Sequence, residues 1–333
     1  MKVSFTGAPE WMDRRVGFGE ASVQIFKSLK DFDIECLVKS KEPNIGISFT
    51  QPVNYSFAKN QYRIGYTPWE STDIFPTWKD PLNNQIDEFW TTSQWCADIF
   101  SKHTNKPIFI YEHGIDDNWI PLKRFSPKSR PFRFLHIGEP ANRKDAQMVL
   151  DTFIKIFGDN PNVELIFKCS NLSTIKVIDP ITKNVVGSPN AFYKNIKIIE
   201  SFLSVEQMNG LYDLCDVFVY PSWGEGFGFN PLQSMAKGIP TICTSVWASY
   251  AKYITMPLNS IEFPSPWQHT HPGNMFKPDS THLEFYMQDV FDQYEKYCDI
   301  AYKNAFFIHK DYNWSKVSKP AAERLKNIQN SYF

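Results

Sequence analysis

One stretch, residues 217–244, restricts the fold of this 333-residue chain more than any other part of the sequence. It begins with the apolar run Val217–Tyr220 and ends with a second run, Thr241–Thr244, and each predicts a buried strand. Between them, residues 224–228 read Gly-Glu-Gly-Phe-Gly, which lets the backbone turn sharply and lets a ligand approach its N–H groups. A helix N-terminus behind such a loop favours anions, so the stretch predicts a site for a phosphorylated ligand.

The helix inside this stretch has its own boundary signals. Asn230 is a typical N-cap residue, and Pro231 suits the first helical position. Gly238 and Pro240 mark the end of the helix. We therefore predict a short helix that is capped by Asn230 and followed by the second strand.

The length of the chain and its pattern of apolar runs predict two domains. With 333 residues, of which 42% are hydrophobic, the chain is too long for one ordinary core. Strands alternate with helices, which favours parallel sheets covered on both faces. The predicted strands include residues 2–6, 34–38, 45–49, 62–66, 107–111, 132–137, 163–168 and 196–199, and the predicted helices include 17–29, 94–102 and an aromatic-rich helix at about 281–308. Residues 171–190 are polar and predict an irregular insertion.

Composition disfavours several functional classes. A net charge of -1 implies no general attraction to nucleic acid or membranes, and no apolar run approaches the length of a transmembrane helix. The first residues lead into a strand rather than a signal peptide. The six cysteines are scattered without a CxxC pair, which is typical of reduced thiols. We therefore expect a cytoplasmic protein.

Residues 217–244 resemble the EGFG…E…GxP signature of retaining glycosyltransferases of the GT-B fold, in the large family 4 (glycosyl transferases group 1). One position departs from it, because Gln233 stands where the family usually has its second glutamate. The resemblance implies an α/β protein whose two Rossmann-like domains face each other across a cleft. It places the acceptor-side domain at residues 1–125, joined by the C-terminal helix 310–333, and the nucleotide-sugar-binding domain at residues 126–309.

The resemblance also implies an activity, the transfer of a sugar from a UDP- or GDP-linked donor to an acceptor hydroxyl with retention of configuration. Glu225 would accept hydrogen bonds from the sugar. Arg143 and Lys144, similar to the family's basic pair, would hold the diphosphate without a metal ion or cofactor. Glu70 follows a predicted strand and is a second candidate for the cleft. Its alternative interpretation is a residue at a helix N-terminus, where it would answer the helix dipole.

Further candidates for donor binding follow from the same resemblance. They are Gly17, Phe18, Gly19, Phe202, Leu203, Gly226, Phe227, Gly228 and Gln233. The first three form a loop that would face the donor's phosphates, and Phe202 and Leu203 would contact the base. A dinucleotide fingerprint is the alternative for this loop, but Ser22 occupies its third glycine position. Gln233 can hydrogen-bond a ribose diol without a charge, so we expect weaker donor binding.

Two local patterns resemble metal sites. Asp31 and Asp33 form a DxD sequence, but they precede a strand, which favours a solvated turn. His269 and His271 could bind a metal, but the sequence offers no third ligand at a convincing spacing. We therefore predict that the protein holds no metal.

Other functions fit the same fold. A nucleotide-sugar epimerase would need no acceptor, and a non-catalytic binding module would be consistent with Gln233. For a transferase, the commonest acceptors in the family are glycans and lipid-linked sugars, and a lipid-linked acceptor would bring the protein to a membrane surface. The basic linker at 123–133 also allows a hydroxymethylated DNA base, as in some phage enzymes, and such a base would have to be flipped out. A protein acceptor stays open as well.

Overall fold

The computed structural model describes residues 1–13, 17–138, 142–169, 177 and 187–333. They form two six-stranded sheets in which neighbouring strands run parallel. The first sheet contains β1 (Lys2–Gly7), β2 (Glu35–Val38), β3 (Ile45–Phe49), β4 (Tyr62–Tyr66), β5 (Glu88–Thr91) and β6 (Ile108–Ile110). The second contains β7 (Phe132–Ile137), β8 (Val163–Lys168), β9 (Ile196–Ile199), β10 (Val217–Tyr220), β11 (Thr241–Thr244) and β12 (Met256–Leu258).

Helices cover these sheets, and one hairpin stands apart from them. The helices are α1 (Gly17–Lys30), α2 (Gln94–Phe100), α3 (Ala146–Phe157), α4 (Val205–Asp213), α5 (Phe229–Ala236), α6 (Ser280–Asp292), α7 (Tyr294–Tyr312) and α8 (Trp314–Tyr332). The hairpin pairs β13 (Ser260–Pro264) with β14 (Asn274–Pro278) in antiparallel register.

The strand order fixes where a ligand can bind. It is β2-β1-β3-β4-β5-β6 in the first sheet and β12-β11-β10-β7-β8-β9 in the second. In each sheet the direction of winding reverses beside the first strand, at β1 and at β7. Open parallel sheets bind ligands outside the carboxyl ends of the strands at such a reversal. β3, β10 and β11 are buried along their whole length, as expected for strands covered on both faces.

The last helix, α8, returns to the first sheet. Its apolar face shares one core with α1, β1, β3 and β4. The Ser318 hydroxyl lies 2.7 Å from that of Ser28 and 2.6 Å from that of Tyr111. Arg324 donates to the buried carboxylate of Glu88 at 2.6 Å. These contacts fasten the end of the chain to the sheet formed by its beginning.

Two predicted helix limits were wrong. The helix after the glycine-rich loop begins at Phe229, and Gly228 rather than Asn230 is its N-cap, with a left-handed φ of 84° that glycine adopts without strain. The Asn230 amide instead donates to the carbonyl of Ile137 at 3.4 Å. The aromatic-rich helix at about 281–308 is two helices, α6 and α7, because Gln293 leaves helical geometry between them (φ -125°, ψ 40°).

Three further expectations concern the predicted insertion, membrane-spanning helices and the cysteines. Most of the predicted insertion at 171–190 lies outside the described residues. Within the described ranges, every helix is too short or too polar to cross a membrane. All six cysteines belong to the described part of the chain and are free thiols.

The glycine-rich loop touches the first domain directly. A Cβ atom on Gly224 would lie 2.0 Å from the carbonyl oxygen of Glu70, and one on Gly226 would lie 2.5 Å from Cβ of Pro68. The hydroxyl of Thr92 donates to the Gly226 carbonyl. Glycine at these two positions is therefore required by the close approach of two backbones, in addition to any approach of a ligand.

The β13–β14 hairpin makes a second connection between the domains. The backbone N–H of Asn274 donates to the Thr72 hydroxyl at 2.7 Å, and the N–H of Thr72 donates to the Asn274 carbonyl at 2.9 Å. Just before β14, the ring of His271 stacks on Trp69 with the centroids 5.8 Å apart. The hairpin thus extends from the second domain onto the segment of the first domain that carries Glu70.

We expect the Gly226→Ala variant to lower the free energy of unfolding by about 1–3 kcal/mol, the usual cost of forcing atoms into a packed contact. Its new methyl group would overlap Pro68. The matched control is Gly210→Ala in α4, where a Cβ meets no atom within 4 Å and alanine favours the helix. Urea unfolding of both variants measures the difference, and equal stabilities would contradict the tight contact.

Candidate active site

A cavity of about 430 Å³ lies between the two sheets and is lined by both domains. With one exception, the sequence-predicted site residues line it. They are Gly17, Phe18, Glu70, Arg143, Lys144, Phe202, Leu203, Glu225, Gly226, Phe227, Gly228 and Gln233. The exception is Gly19, where a Cβ would lie 2.0 Å from the carbonyl oxygen of Asp13. Gly19 thus packs closely against the backbone of Asp13, and its predicted contact with the donor stays a prediction.

Glu225 is held as a buried carboxylate. The hydroxyls of Tyr220 and Ser222 each donate to its Oε1 at 2.8 Å, and Arg143 forms an ion pair with the same oxygen. Burial alone would raise the pKa of Glu225, but Arg143, Lys144 and the two hydroxyls together lower it to about 2. Glu225 is therefore ionised throughout the neutral pH range.

Glu70 faces Glu225 from the first domain. It lies in a segment after β4 that is neither helix nor strand, so its alternative interpretation as a residue at a helix N-terminus was wrong. Its Oε1 accepts from Arg143 at 3.4 Å, and its Oε2 lies 3.9 Å from Nε2 of His271. Burial raises the pKa of Glu70, while Arg143 opposes the rise and Glu225 adds to it. The two carboxylates therefore have environments that drive their pKa values apart.

Arg143 connects the two carboxylates. Its guanidinium pairs with Glu225, donates to the Gly224 carbonyl at 2.8 Å and reaches Glu70 at the opposite wall. Because these acceptors already occupy Arg143, its charge serves the carboxylates as well as any phosphate that enters the cavity.

The turn that carries Arg143 and Lys144 is fixed by a residue that the sequence did not single out. Asp145 has a left-handed φ of 51° and caps α3 by accepting from the Met148 N–H at 3.2 Å. Its other oxygen accepts from the indole of Trp223 at 2.7 Å. This geometry holds Lys144 with its ammonium 5.5 Å from the centroid of the Tyr220 ring, within range of a cation–π contact.

Several residues of the site escaped the sequence interpretation. Tyr220 and Ser222 lie just before the glycine-rich loop. Their short distance from Glu225 in the sequence could have indicated that they contact its carboxylate. His271 was weighed as a metal ligand, yet it lies against Trp69 and Glu70. Among the described residues, no group of three His, Cys, Asp or Glu side chains is placed to hold a metal ion.

His113 also lines the cavity and is only 4% exposed. Its ring packs among aromatic side chains from both domains, including Phe49, Phe227, Phe229 and Trp314. Neither ring nitrogen has a hydrogen-bond partner in the described part of the chain. Burial lowers its pKa to about 3, so the imidazole is neutral at pH 7.

We expect the Arg143→Met variant to raise the pKa of Glu225 above about 2, because burial then acts with less opposition. Because the pKa of Glu225 is lower in the folded protein than its ordinary value of 4.5, the ionised carboxylate stabilises the fold above pH 4.5. This contribution to stability is lost as the pH falls toward 2. Carbon-13 NMR titration of glutamate carboxyls measures both proteins. Arg133→Met is the control, since Arg133 pairs with Glu164 instead. An unchanged Glu225 pKa in Arg143→Met would contradict the assigned cause.

Comparison with known proteins finds a family model that matches part of the chain. Residues 131–256 match the family model described as glycosyl transferases group 1. A serotype-specific mannosyltransferase, WbdA of Escherichia coli, is 41% identical over 49 residues, which is 15% of this chain and 6% of the relative. The matched segment is thus a small part of that protein.

Solved structures show the same fold over nearly the whole chain. Sucrose-phosphate synthase from Thermosynechococcus elongatus has a TM-score of 0.71 at 12% identity and covers 99% of this chain and 100% of that one. Anabaena HepE in complex with UDP-glucose has a TM-score of 0.63 at 13% identity, with 98% and 100% covered. At these identities the likeness shows the fold alone, which is GT-B. Residues 131–256 are therefore similar to the glycosyl transferases of group 1, and the chain has the GT-B fold, in which two Rossmann-like domains face each other across a cleft.

Proposed function

We propose that the protein transfers a sugar from a UDP- or GDP-linked donor to an acceptor hydroxyl, with retention of configuration and without a metal ion. The observation that carries this proposal is the single cavity in which Glu225 and Lys144 of one domain meet Glu70 of the other. A nucleotide sugar needs neutralised phosphate charge, a stabilised sugar cation and an acceptor close to C1. The cavity offers a group for each need. HepE, a structural neighbour, was solved with UDP-glucose.

Lys144 and Arg143 are the proposed phosphate-binding residues. Lys144 lies at the turn that opens α3, where the helix N-terminus also favours an anion. Arg143 would share its charge between the diphosphate and the carboxylates that it already contacts. Two fixed cations would stabilise the negative charge that grows on the leaving diphosphate.

Glu225 is the proposed sugar-binding carboxylate. Its hydroxyl and guanidinium partners hold it ionised and in one position, so it can accept hydrogen bonds from sugar hydroxyls without reorganisation. Its negative charge would also favour a sugar ring that becomes positive in the transition state. Gln233, which lines the same cavity, would bind the ribose diol more weakly than a glutamate.

The proposed reaction takes place on one face of the sugar. The bond from C1 to the diphosphate oxygen breaks, a bond from C1 to the acceptor oxygen forms, and the acceptor proton passes to a phosphate oxygen. No carboxylate is then needed as a nucleophile. Glu70, whose pKa is raised by burial, would lie on the acceptor side and accept a hydrogen bond from the incoming hydroxyl. The contacts between the domains would keep water out of the cavity.

The proposed acceptor is a glycan or a lipid-linked sugar. WbdA, which resembles a short segment of this chain, is a mannosyltransferase, and a pneumococcal O-GlcNAc transferase of the same fold was solved with UDP and GlcNAc. A lipid-linked acceptor would place the protein at a membrane surface. A hydroxymethylated DNA base or a protein stays an alternative acceptor. We expect action in the cytoplasm, because six free thiols suit a reducing compartment.

An epimerase or a binding module on the same fold would lack acceptor-dependent transfer. Incubation with UDP-, GDP- and ADP-sugars, followed by mass spectrometry, separates the three functions. Isomerised donor without acceptor would indicate an epimerase. Bound but unchanged donor under all conditions would indicate a binding module.

We expect Glu225→Ala and Lys144→Ala each to lower the rate of transfer by at least about a hundredfold, the size of losing one transition-state contact. Radiolabelled sugar transfer measures the rate, and circular dichroism checks the fold. Lys197→Ala removes an exposed lysine of the same domain and serves as the control. Near-wild-type turnover in either site variant would remove that residue from the mechanism.

We also expect full transfer in the presence of excess EDTA, because fixed cations rather than a metal ion would neutralise the diphosphate. The same assay after chelation and dialysis tests this expectation. Activity that is lost with EDTA and restored by Mn²⁺ would reject the metal-free mechanism.

A further inference from the structure

Lys168, the last residue of β8, is a buried cation in the wall of the cavity. It is 7% exposed and lines the cavity. Within the described ranges, no carboxylate pairs with its ammonium group. A lysine is almost never buried to this extent without a partner, because desolvation disfavours an unpaired charge. A ligand group that accepts hydrogen bonds would supply the missing partner.

The position of Lys168 separates it from the groups that surround Glu225. In the register of the second sheet, Lys168 lies between Ile137 of β7 and Ile199 of β9. The winding of the sheet reverses between β7 and β10, where Glu225 and the phosphate-binding turn lie. Lys168 is therefore on the opposite side of that reversal, toward β9. A donor whose diphosphate lies at the reversal and whose sugar meets Glu225 would bring its nucleoside to this side.

The cavity wall beyond Lys168 is apolar. Phe202, Leu203, Val205 and Met208 follow β9 and line the cavity there. Apolar side chains on this side suit the faces of a flat ring, while a single ammonium group at the edge would contact one polar atom of it. The wall therefore fits a nucleobase better than a second phosphate.

We propose that Lys168 reads the nucleobase of the donor and favours a keto base, uracil or guanine, over adenine or cytosine. This inference rests on the proposed function. An ammonium group has three N–H donors and no acceptor. Uracil and guanine present a carbonyl oxygen at the edge where cytosine and adenine present an amino group, which cannot accept a hydrogen bond from lysine.

The test is calorimetric titration of the full chain with UDP, GDP, CDP and ADP. We expect the wild-type protein to bind UDP or GDP at least about tenfold more tightly than CDP and ADP, the range for one hydrogen bond to a charged group. Lys168→Met should lose about 10- to 100-fold in affinity for the preferred nucleotide and less than about twofold for ADP. Lys197→Met, on neighbouring β9, is the matched control and should change neither affinity.

A second variant protects the test against a loss of folding. The side chain in Lys168→Gln can both donate and accept a hydrogen bond, so this variant should still bind nucleotides. Its affinities for keto and amino bases should differ less than those of the wild-type protein. If Lys168→Met loses the same affinity for all four nucleotides, Lys168 binds phosphate and the inference is overturned. An unchanged affinity for all four nucleotides would overturn it as well. Failure of the wild-type protein to bind any of the four would instead overturn the proposed function.

Discussion

The site depends on keeping one buried carboxylate charged. Glu225 is 6% exposed, and a carboxylate at that depth would take up a proton if it were left alone. Arg143, Tyr220 and Ser222 supply the hydrogen bonds and charge that prevent this. Arg143 can do so only because the turn before α3 is fixed by Asp145 and Trp223. The ionisation of Glu225 therefore depends on how the end of β10 packs against the turn that begins α3.

The guanidinium group of Arg143 contacts a carboxylate of each domain. It reaches Glu70 of the first domain, and Gly224 and Gly226 let the backbones beside it approach closely. A Cβ atom at either glycine would overlap an atom of the first domain, the Glu70 carbonyl oxygen or Pro68. The glycine-rich loop thus serves two purposes at once, since it exposes backbone to the cavity and closes the distance between the domains.

Sequence reasoning was most reliable where burial determines structure. The predicted strands at 45–49, 62–66, 132–137, 163–168 and 196–199 have the observed bounds, and all but the last are largely buried, as expected for strands covered on both faces. The start of α5 was wrong because a left-handed Gly228, not a polar side chain, caps it. The motif and its family identified Gly226, Phe227 and Gly228 beside Glu225, but not Tyr220 and Ser222, which donate to its carboxylate. His271 and its contact with Glu70 could not be found, because a hairpin distant in sequence brings them together.

The charges of the cavity are unevenly distributed, and this gives a bound donor a direction. Around Glu225 and Glu70, Arg143 is already shared between two carboxylates, and Lys144 supplies the second positive charge. Farther along, Lys168 lies in an apolar wall without a carboxylate among the described residues. A ligand with hydroxyls at one end, negative charge in the middle and a hydrogen-bond acceptor at the other end satisfies these groups in one orientation only. Reversing it would bring the hydrogen-bond acceptor against two carboxylates, which the low dielectric of a buried site makes costly. For the proposed nucleotide-sugar donor, this distribution of charge therefore favours one direction of binding.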